Sequence, residues 1–527
     1  MRPVRSALRE AGLVLLAACA LTPTGCASPD EKRTARPNIL LVMADDVGFG
    51  DSRIYNPDSK LSMPTLEKLA REGMRFTDVH SPSAVCAPTR YSLITGNYPW
   101  RGRHPRGVWK PQARSQVLPG QTTLAQLLRR GGYRSAKFGK DHLGGSFRRK
   151  DGGRAQRLEM VDYGRPYSGG PITQGFDFSF IVPSGVQDPP FAFFRNDQLE
   201  GDPDSLRHWE VGSYGDSEIA RPGLGVPDWD SSTVGPRMLD EALQFLRDHH
   251  QRNLEQETED PFFLYYSAVE AHWPWTPARS IRGHPVRGVT GLSPRADLVY
   301  QLDLAIGEML SELERLGLDD ETLIIVTSDN GGDTRSTEPS KGHSTNGDLA
   351  GSKGQIAEGG HRVPFVVRWG GVVPAGSVSS QLLGLQDLAA TLAEVAQVEL
   401  TAEEALDSFS ILPALLSAED ELPPIRDHLI VQDGNYEHLS LREGEWKLVT
   451  DRAGNALDLL QVDPAGLERD ACEVLAPAAC RSRREAMEDR LASLRSSVRT
   501  APPAIQGEAE LVENPASLDV IDDEVPD

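Results

Sequence analysis

The sequence predicts an α/β fold: a large mixed, mostly parallel sheet sandwiched by helices, with a smaller C-terminal α+β subdomain carrying an antiparallel sheet. Three observations predict it. From Pro37 to about residue 400, short apolar runs of strand length alternate with amphipathic stretches, as parallel strands buried on both faces require. The chain has 527 residues, which suits a main domain plus a smaller one. Beyond the helical pattern DLAATLAEVA the periodicity changes, and EHLSLREGEWKLVTD reads as two antiparallel strands joined through Gly444.

The elements follow in order. NILLVMA, Asn38 to Ala44, is a buried-strand run. MPTLEKLAREG is a helix with Pro64 in its first turn and Gly73 past its end. CAPTRYSLITG is a short helix with Pro88 in its first turn and Gly96 as its stop, and TLAQLLRRGG is another, before a strand at Tyr133 to Phe138. Residues 148–235 are rich in Gly, Pro, Asp and Arg and read as irregular surface excursions, where substrate contacts often live. MLDEALQFLRDHH precedes the strand Phe262 to Ala268. LVYQLDLAIGEMLSELERLG precedes Thr322 to Thr327, and Val363 to Trp369 is a further strand. The organisation expected is a signal at 1–27, a tether at 28–36, a main domain at 37–404, a subdomain at 405–500 and an acidic, disordered tail at 501–527.

The N-terminus carries Arg2, Arg5 and Arg9 before an apolar run from Ala11 that is too short to span a bilayer, so it reads as an export signal. Leu16-Ala17-Ala18-Cys19 resembles a bacterial lipobox. Thr24-Gly25-Cys26 is a poorer second candidate because Pro23 sits where an aliphatic residue is usual. The expectation is a periplasmic or cell-surface protein, either freely secreted or anchored through a lipid on Cys19 or Cys26. In an exported chain Cys472 and Cys480, eight apart, read as a disulfide. Cys86 is left without a partner. Lys and Arg total 55 against 77 Asp and Glu, a net charge of −22 that excludes a general nucleic-acid binder. A local basic pocket for an anionic small substrate is not excluded.

Ligands of an open α/β sheet bind beyond the carboxyl ends of its strands. The predicted strands there lead into Asp45-Asp46, Gly139-Lys140-Asp141-His142, His272, and Asp329-Asn330-Gly331-Gly332. Singly, each has an ordinary reading: Asp-Asp as a turn or cap, Asn-Gly-Gly as turn chemistry, His272 as a hydrogen-bonded structural histidine. Their coincidence at one sheet edge points to a polar site. Two adjacent carboxylates plus an Asp-Asn pair make an all-oxygen set, suited to Ca²⁺ or Mg²⁺ rather than zinc. Cys86 and Arg90 fall at a helix N-terminus, which favours an anion. A thiolate is a poor partner for a hard cation, so the sulfur is a misfit in this site.

These residues resemble the sulfatase family, formylglycine-dependent type I, within the alkaline-phosphatase-like fold. Cys86-x-Pro88-x-Arg90, followed by Leu93-x-Thr95-Gly96, is similar to the signature that directs oxidation of the cysteine to Cα-formylglycine. PNILLVMADDVGFGD, FGKDHLGG, AHWPWTP, SDNGG, GSKGQIAEGGHRVPFVVRW and LREGEWKLVTD with DLLQVDP extend the likeness over roughly residues 37–465. The resemblance implies that Asp45, Asp46, Asp329, Asn330 and modified Cys86 bind one calcium-type ion, with Mg²⁺ as the alternative. It implies that Arg90 orients the formylglycine hydrate, that Lys140 and Lys353 bind sulfate oxygens, and that His142 and His272 handle protons. Asp141 departs from the family, where an aromatic is common, and Thr89 replaces a frequent serine. The partners implied are a formylglycine-generating maturation enzyme and a sulfated carbohydrate or aryl sulfate substrate. Rival readings are a phosphate or phosphonate monoester hydrolase of the same fold and an inactive sulfoglycan-binding surface lipoprotein. The basic run Trp100 to Arg106, with Lys110, is a candidate for further anionic groups of a glycan through Arg103 and Arg106, or a solvated loop.

Overall fold

The computed structural model describes residues 36–336, 338–418 and 422–501. The expected signal, nearly all of the tether, and the acidic tail beyond residue 501 lie outside these residues.

The central sheet has ten strands: β1 (Asn38–Ala44), β2 (Met74–Phe76), β3 (Arg134–Lys140), β4 (Phe178–Val182), β5 (Phe194–Arg195), β6 (Gln198–Leu199), β7 (Phe262–Ser267), β8 (Thr322–Ser328), β9 (Phe365–Trp369) and β10 (Ser377–Ser379). Their order is β10-β2-β9-β8-β1-β7-β3-β4-β5-β6. The middle of the sheet, β8-β1-β7-β3-β4, is parallel throughout, and antiparallel pairs appear only toward the two edges. The helices are α1 (Pro64–Glu72), α2 (Cys86–Thr95), α3 (Leu124–Arg130), α4 (Val234–Gln256), α5 (Pro294–Leu316), α6 (Asp387–Val395) and α7 (Pro477–Ser496), with shorter turns between.

Strand β1 shows why both faces must be covered. Leu40 and Val42 join one core with residues of α1, α4 and α5, while Ile39, Leu41 and Met43 join a second core with residues of α2, α3 and α6. Alternate side chains leave a strand on opposite faces, so an uninterrupted apolar run needs two helical layers. Each such fully buried aliphatic side chain contributes roughly 1.5–3 kcal/mol.

After α6 the chain forms a five-stranded antiparallel sheet that includes Leu429–Gln432, His438–Glu443 and Trp446–Asp451. It has its own apolar cluster with α7. Cys472 and Cys480 are disulfide-bonded, with Cα atoms 5.4 Å apart, and Cys86 is the free cysteine among the described residues. No helix among those residues is long and apolar enough to cross a membrane.

Most expected strand ends shift by one or two residues, and two differences from the sequence reading bear on the site. The strand expected at 133–138 runs on to Lys140, because Gly139 at φ 100° lies so close to β7 that a Cβ would meet the Ser267 carbonyl oxygen at 1.9 Å. The stretch 148–235 is not all irregular surface. Its FSFIV segment is β4, buried against β3, and β5 and β6 finish that edge of the sheet.

Candidate active site

The carboxyl ends of β1, β3, β7 and β8 converge on the N-terminus of α2. Asp45 follows β1 directly and is fixed by the loop after β7: its N–H donates to the Glu270 carbonyl (2.7 Å) and its carbonyl accepts from Ala271 N–H (2.5 Å). Asp46 takes a left-handed backbone, φ 66°, that turns the chain away from the strand. Asp329 follows β8, and its N–H donates to the Ala44 carbonyl (3.1 Å), so the two strand ends present their carboxylates side by side. The glycines after Asn330 serve close approach, since a Cβ on Gly331 would meet the Gly359 carbonyl oxygen at 1.9 Å.

Helix α2 starts at Cys86 after an extended Val85 with no side-chain cap, and Gly96 at φ 68° closes it through a bond to the Ser92 carbonyl. All ten of its residues are buried. Cys86 Sγ lies 3.3 Å from His142 Nδ1. One turn on, Arg90 donates from Nε (3.0 Å) and Nη2 (2.6 Å) to Asp329 Oδ2 and from Nη1 to Ser267 Oγ. Ser267 in turn donates to the Lys140 carbonyl (2.6 Å). Lys140 Nζ donates to Asp45 Oδ2 (2.8 Å), and Lys353 Nζ reaches Asp46 Oδ2 (2.7 Å) and Oδ1 (2.6 Å). Asn330 Nδ2 donates to Asp46 Oδ1 (2.8 Å). His272 Nε2 lies 3.9 Å from Asp46 Oδ2, and its Nδ1 bonds the Trp273 carbonyl.

All ten candidate residues therefore meet in one place. Asp141 does not: it turns away to pair with Lys137 (2.6 Å), both fully buried. Sequence reasoning missed Ser267 and Arg295. Arg295, wholly buried on α5, donates to the Asp46 carbonyl (2.8 Å) and joins Asp51 to Glu338. Neither lies in a recognisable pattern, and only long-range contact reveals them.

The donor set suits a hard cation. One oxygen each of Asp45, Cys86's neighbour Asp329 and the sulfur of Cys86 lie within 4.8 Å of one another. Asp45 Oδ1 and Asn330 Oδ1 are buried with no hydrogen-bond partner. A buried orphan acceptor costs roughly 1–3 kcal/mol unless something satisfies it. Two such oxygens beside an acidic cluster fit Ca²⁺ or Mg²⁺.

The same crowding sets the protonation states. Burial holds the Cys86 thiol above its ordinary range, with Lys140 and Lys353 only partly offsetting that. Burial, then repulsion from Lys140 and Arg90, pushes His142 well below the usual imidazole value. Burial with Lys353 and Lys140 brings His272 down to about 3. Burial favours the neutral acid at Asp46, but Lys353, His272 and Lys140 outweigh it and keep the carboxylate charged. These shifts favour the neutral form of both histidines and, for an unmodified Cys86, the thiol over the thiolate.

A sheet edge that gathers three carboxylates, three cations and two histidines around one buried residue has the charge and proton-carrying groups that chemistry on an anionic ester requires. The sulfatase family profile matches residues 37–398. The chain is 29% identical over 468 residues to an N-acetylgalactosamine-6-O-sulfatase of Bacteroides thetaiotaomicron, covering 82% of this chain and 87% of that protein. It is 32% identical to the N-acetylgalactosamine-6-sulfatase of Canis lupus familiaris, over 80% of this chain and 72% of the relative. A solved B. thetaiotaomicron structure, described under the metabolism of multiple glycosaminoglycans, superposes with a TM-score of 0.72 at 27% identity, over 86% of this chain and 99% of that one. The chain belongs to the sulfatase family, whose members hydrolyse sulfuric esters.

Proposed function

We propose that the protein removes sulfate esters from a sulfated, glycosaminoglycan-type carbohydrate, using a formylglycine made from Cys86 and one calcium ion. The observation that carries this is the state of residue 86. It sits at a helix N-terminus among oxygen ligands, 3.3 Å from a neutral histidine, with burial holding its thiol protonated. As a thiol it is a weak nucleophile and a poor ligand for a hard ion. The hydrate of a formylglycine at this position would supply an oxygen nucleophile, and a calcium ion held by Asp45, Asp46, Asp329, Asn330 and residue 86 would withdraw charge from the sulfate.

The chain's own residues do the rest. Arg90 is locked by Asp329 and Ser267, so it fixes the surroundings of residue 86. Three carboxylates (Asp45, Asp46, Asp329) against three cations (Arg90, Lys140, Lys353) leave the site near neutral, 3 − 3 = 0. A divalent ion tips it positive, which suits an anionic ester. Lys140 and Lys353 then offset charge that develops on the sulfuryl oxygens. His142, neutral and facing residue 86, takes a proton from the group there. His272 Nδ1 donates to the Trp273 carbonyl, so Nε2 is the atom left for the leaving alcohol. The proton that Nε2 passes on comes from solvent, and the negative charge of a bound sulfate ester favours its uptake against the burial and the two lysines that depress His272.

The names of the two curated relatives support a sulfated hexosamine as the sugar. We also propose export, with a lipid on Cys19 or Cys26 as the anchor, on the strength of the N-terminal pattern. Turnover of matched aryl sulfate and aryl phosphate tests the reaction class: sulfate should be strongly preferred, and a phosphate preference overturns the reading in favour of a phosphate or phosphonate monoester hydrolase. Absence of turnover on any sulfate ester would leave only a binding protein.

A further inference from the structure

Residues 79–140 contain no aspartate or glutamate, in a chain whose net charge is −22. Within that stretch, residues 103–116 form a loop without helix or strand. The loop is tied to both sides of the catalytic pocket. On one side Gln116 N–H donates to the Leu143 carbonyl (2.9 Å) and Gly145 N–H to the Ala113 carbonyl (2.7 Å), directly after His142. On the other, Gly107 N–H donates to the Gly434 carbonyl (3.0 Å), and Gly434 N–H to the Gly354 carbonyl (3.0 Å), next to Lys353. A Cβ on Gly434 would also meet Val85, the residue before Cys86, at 2.9 Å. The loop therefore packs against the segments that carry His142 and Lys353.

Three arginines gather on it. Arg103 Nε donates to the Ser115 carbonyl (3.0 Å) and Arg154 Nη1 to the Gln112 carbonyl (3.2 Å), which anchors two guanidinium groups to the backbone on either side of Arg114. Arg103 and Arg154 are half-buried and Arg114 is exposed. Among the described residues none of the three has a carboxylate in ion-pair range, whereas nearby Arg101, Arg129, Arg130 and Arg149 all do. Burial and the charges of Arg114 and Arg154 weaken the hold of Arg103 on its proton. An uncompensated cluster of like charge is a cost that a bound anion offsets. Arg106 and Lys110, also candidates by sequence, are exposed and make no such anchored contact.

We propose that Arg103, Arg114 and Arg154 form an anion subsite at the rim of the catalytic pocket. It takes a second anionic group, a uronate carboxylate or a further sulfate, from the same glycan whose sulfate ester is cleaved. Planar guanidinium groups with fixed direction suit both oxyanions. The inference rests on the sulfated-carbohydrate reading above and adds that the substrate carries at least two anionic groups.

The test compares three probes: a sulfated uronate-containing disaccharide, its carboxyl-reduced form, and the same disaccharide with an additional sulfate. For Arg114→Ala, the ratio of kcat/KM for the charged over the carboxyl-reduced disaccharide should fall about tenfold, chiefly through KM, as loss of a charge-assisted contact predicts. A ratio within about twofold of the parent, both for this disaccharide and for the additionally sulfated one, overturns the subsite. If the ratio moves only for the additionally sulfated probe, the second group is a sulfate rather than a carboxylate. Binding of the charged disaccharide to Cys86→Ala, with and without Arg114→Ala, repeats the comparison without turnover. Equal affinities there, for this disaccharide and for its additionally sulfated form alike, overturn the subsite too. A parent enzyme that binds the charged disaccharide through Arg114 yet cleaves no sulfate ester would instead contradict the catalytic reading alone.

Discussion

Asp51→Asn tests whether the buried charges behind the site act as the geometry requires. Asp51 is fully buried and accepts from Arg295 Nη1 (3.1 Å) and Nη2 (2.6 Å), His343 Nε2 (3.0 Å), Thr345 Oγ1 (3.2 Å) and Gly48 N–H (2.8 Å). Burial raises its pKa, but Arg295 and His343 outweigh burial and bring it from the usual 3.8 to about 2. A difference of about two units corresponds to about 2 kcal/mol of stability. The folded-state value is depressed, so this contribution is complete above about pH 4, roughly half gone by pH 3, and lost as pH falls through about 2. Asparagine keeps the shape and removes the charge. Urea unfolding of both proteins should show the variant about 2 kcal/mol less stable at pH 7 and only about 1 kcal/mol less stable at pH 3. A deficit of the same size at both pH values would refute the electrostatic account and leave a packing defect.

Three further outcomes follow from the site. Ser267→Ala removes the acceptor of Arg90 Nη1 and the donor to the Lys140 carbonyl, and should lower kcat on an aryl sulfate about tenfold; an unchanged kcat would deny Ser267 a positioning role. His272→Ala should slow a sugar sulfate by about a hundredfold and an aryl sulfate with a good leaving group far less; equal losses would remove His272 from protonation of the leaving alcohol. Calcium titration calorimetry should find a site in the parent that weakens at least about tenfold in Asp45→Asn, a lost direct ligand costing at least as much as a supporting one. Identical isotherms would place the ion elsewhere.

The parallel centre of the fold was legible because its strands are apolar on both faces, as Ile39 to Met43 are, all with no exposed surface. The site was legible because its residues stand in short runs at strand ends, where chain direction alone gathers them. What escaped depends on contact at long range. Arg90 meets Ser267 across 177 positions, and Arg295 meets the Asp46 carbonyl across 249. The strand expected to end at Phe138 runs on to Lys140, because Gly139 permits backbone contact with β7. FSFIV was hidden among glycine and proline, although tertiary pairing with β3 makes it a sheet strand. The basic run Trp100 to Arg106, with Lys110, read either as a glycan contact through Arg103 and Arg106 or as a solvated loop; the bonds of Arg103 and Arg154 to the backbone on either side of Arg114 join residues far apart in sequence.

The central claim is that residue 86 works through oxygen, not sulfur. Peptide mass analysis across Val85 to Arg90, on active protein from its native host, tests it most directly. The account predicts that the thiol mass is replaced by that of the aldehyde in proportion to activity. Fully active protein that carries only unmodified cysteine at position 86 would contradict it.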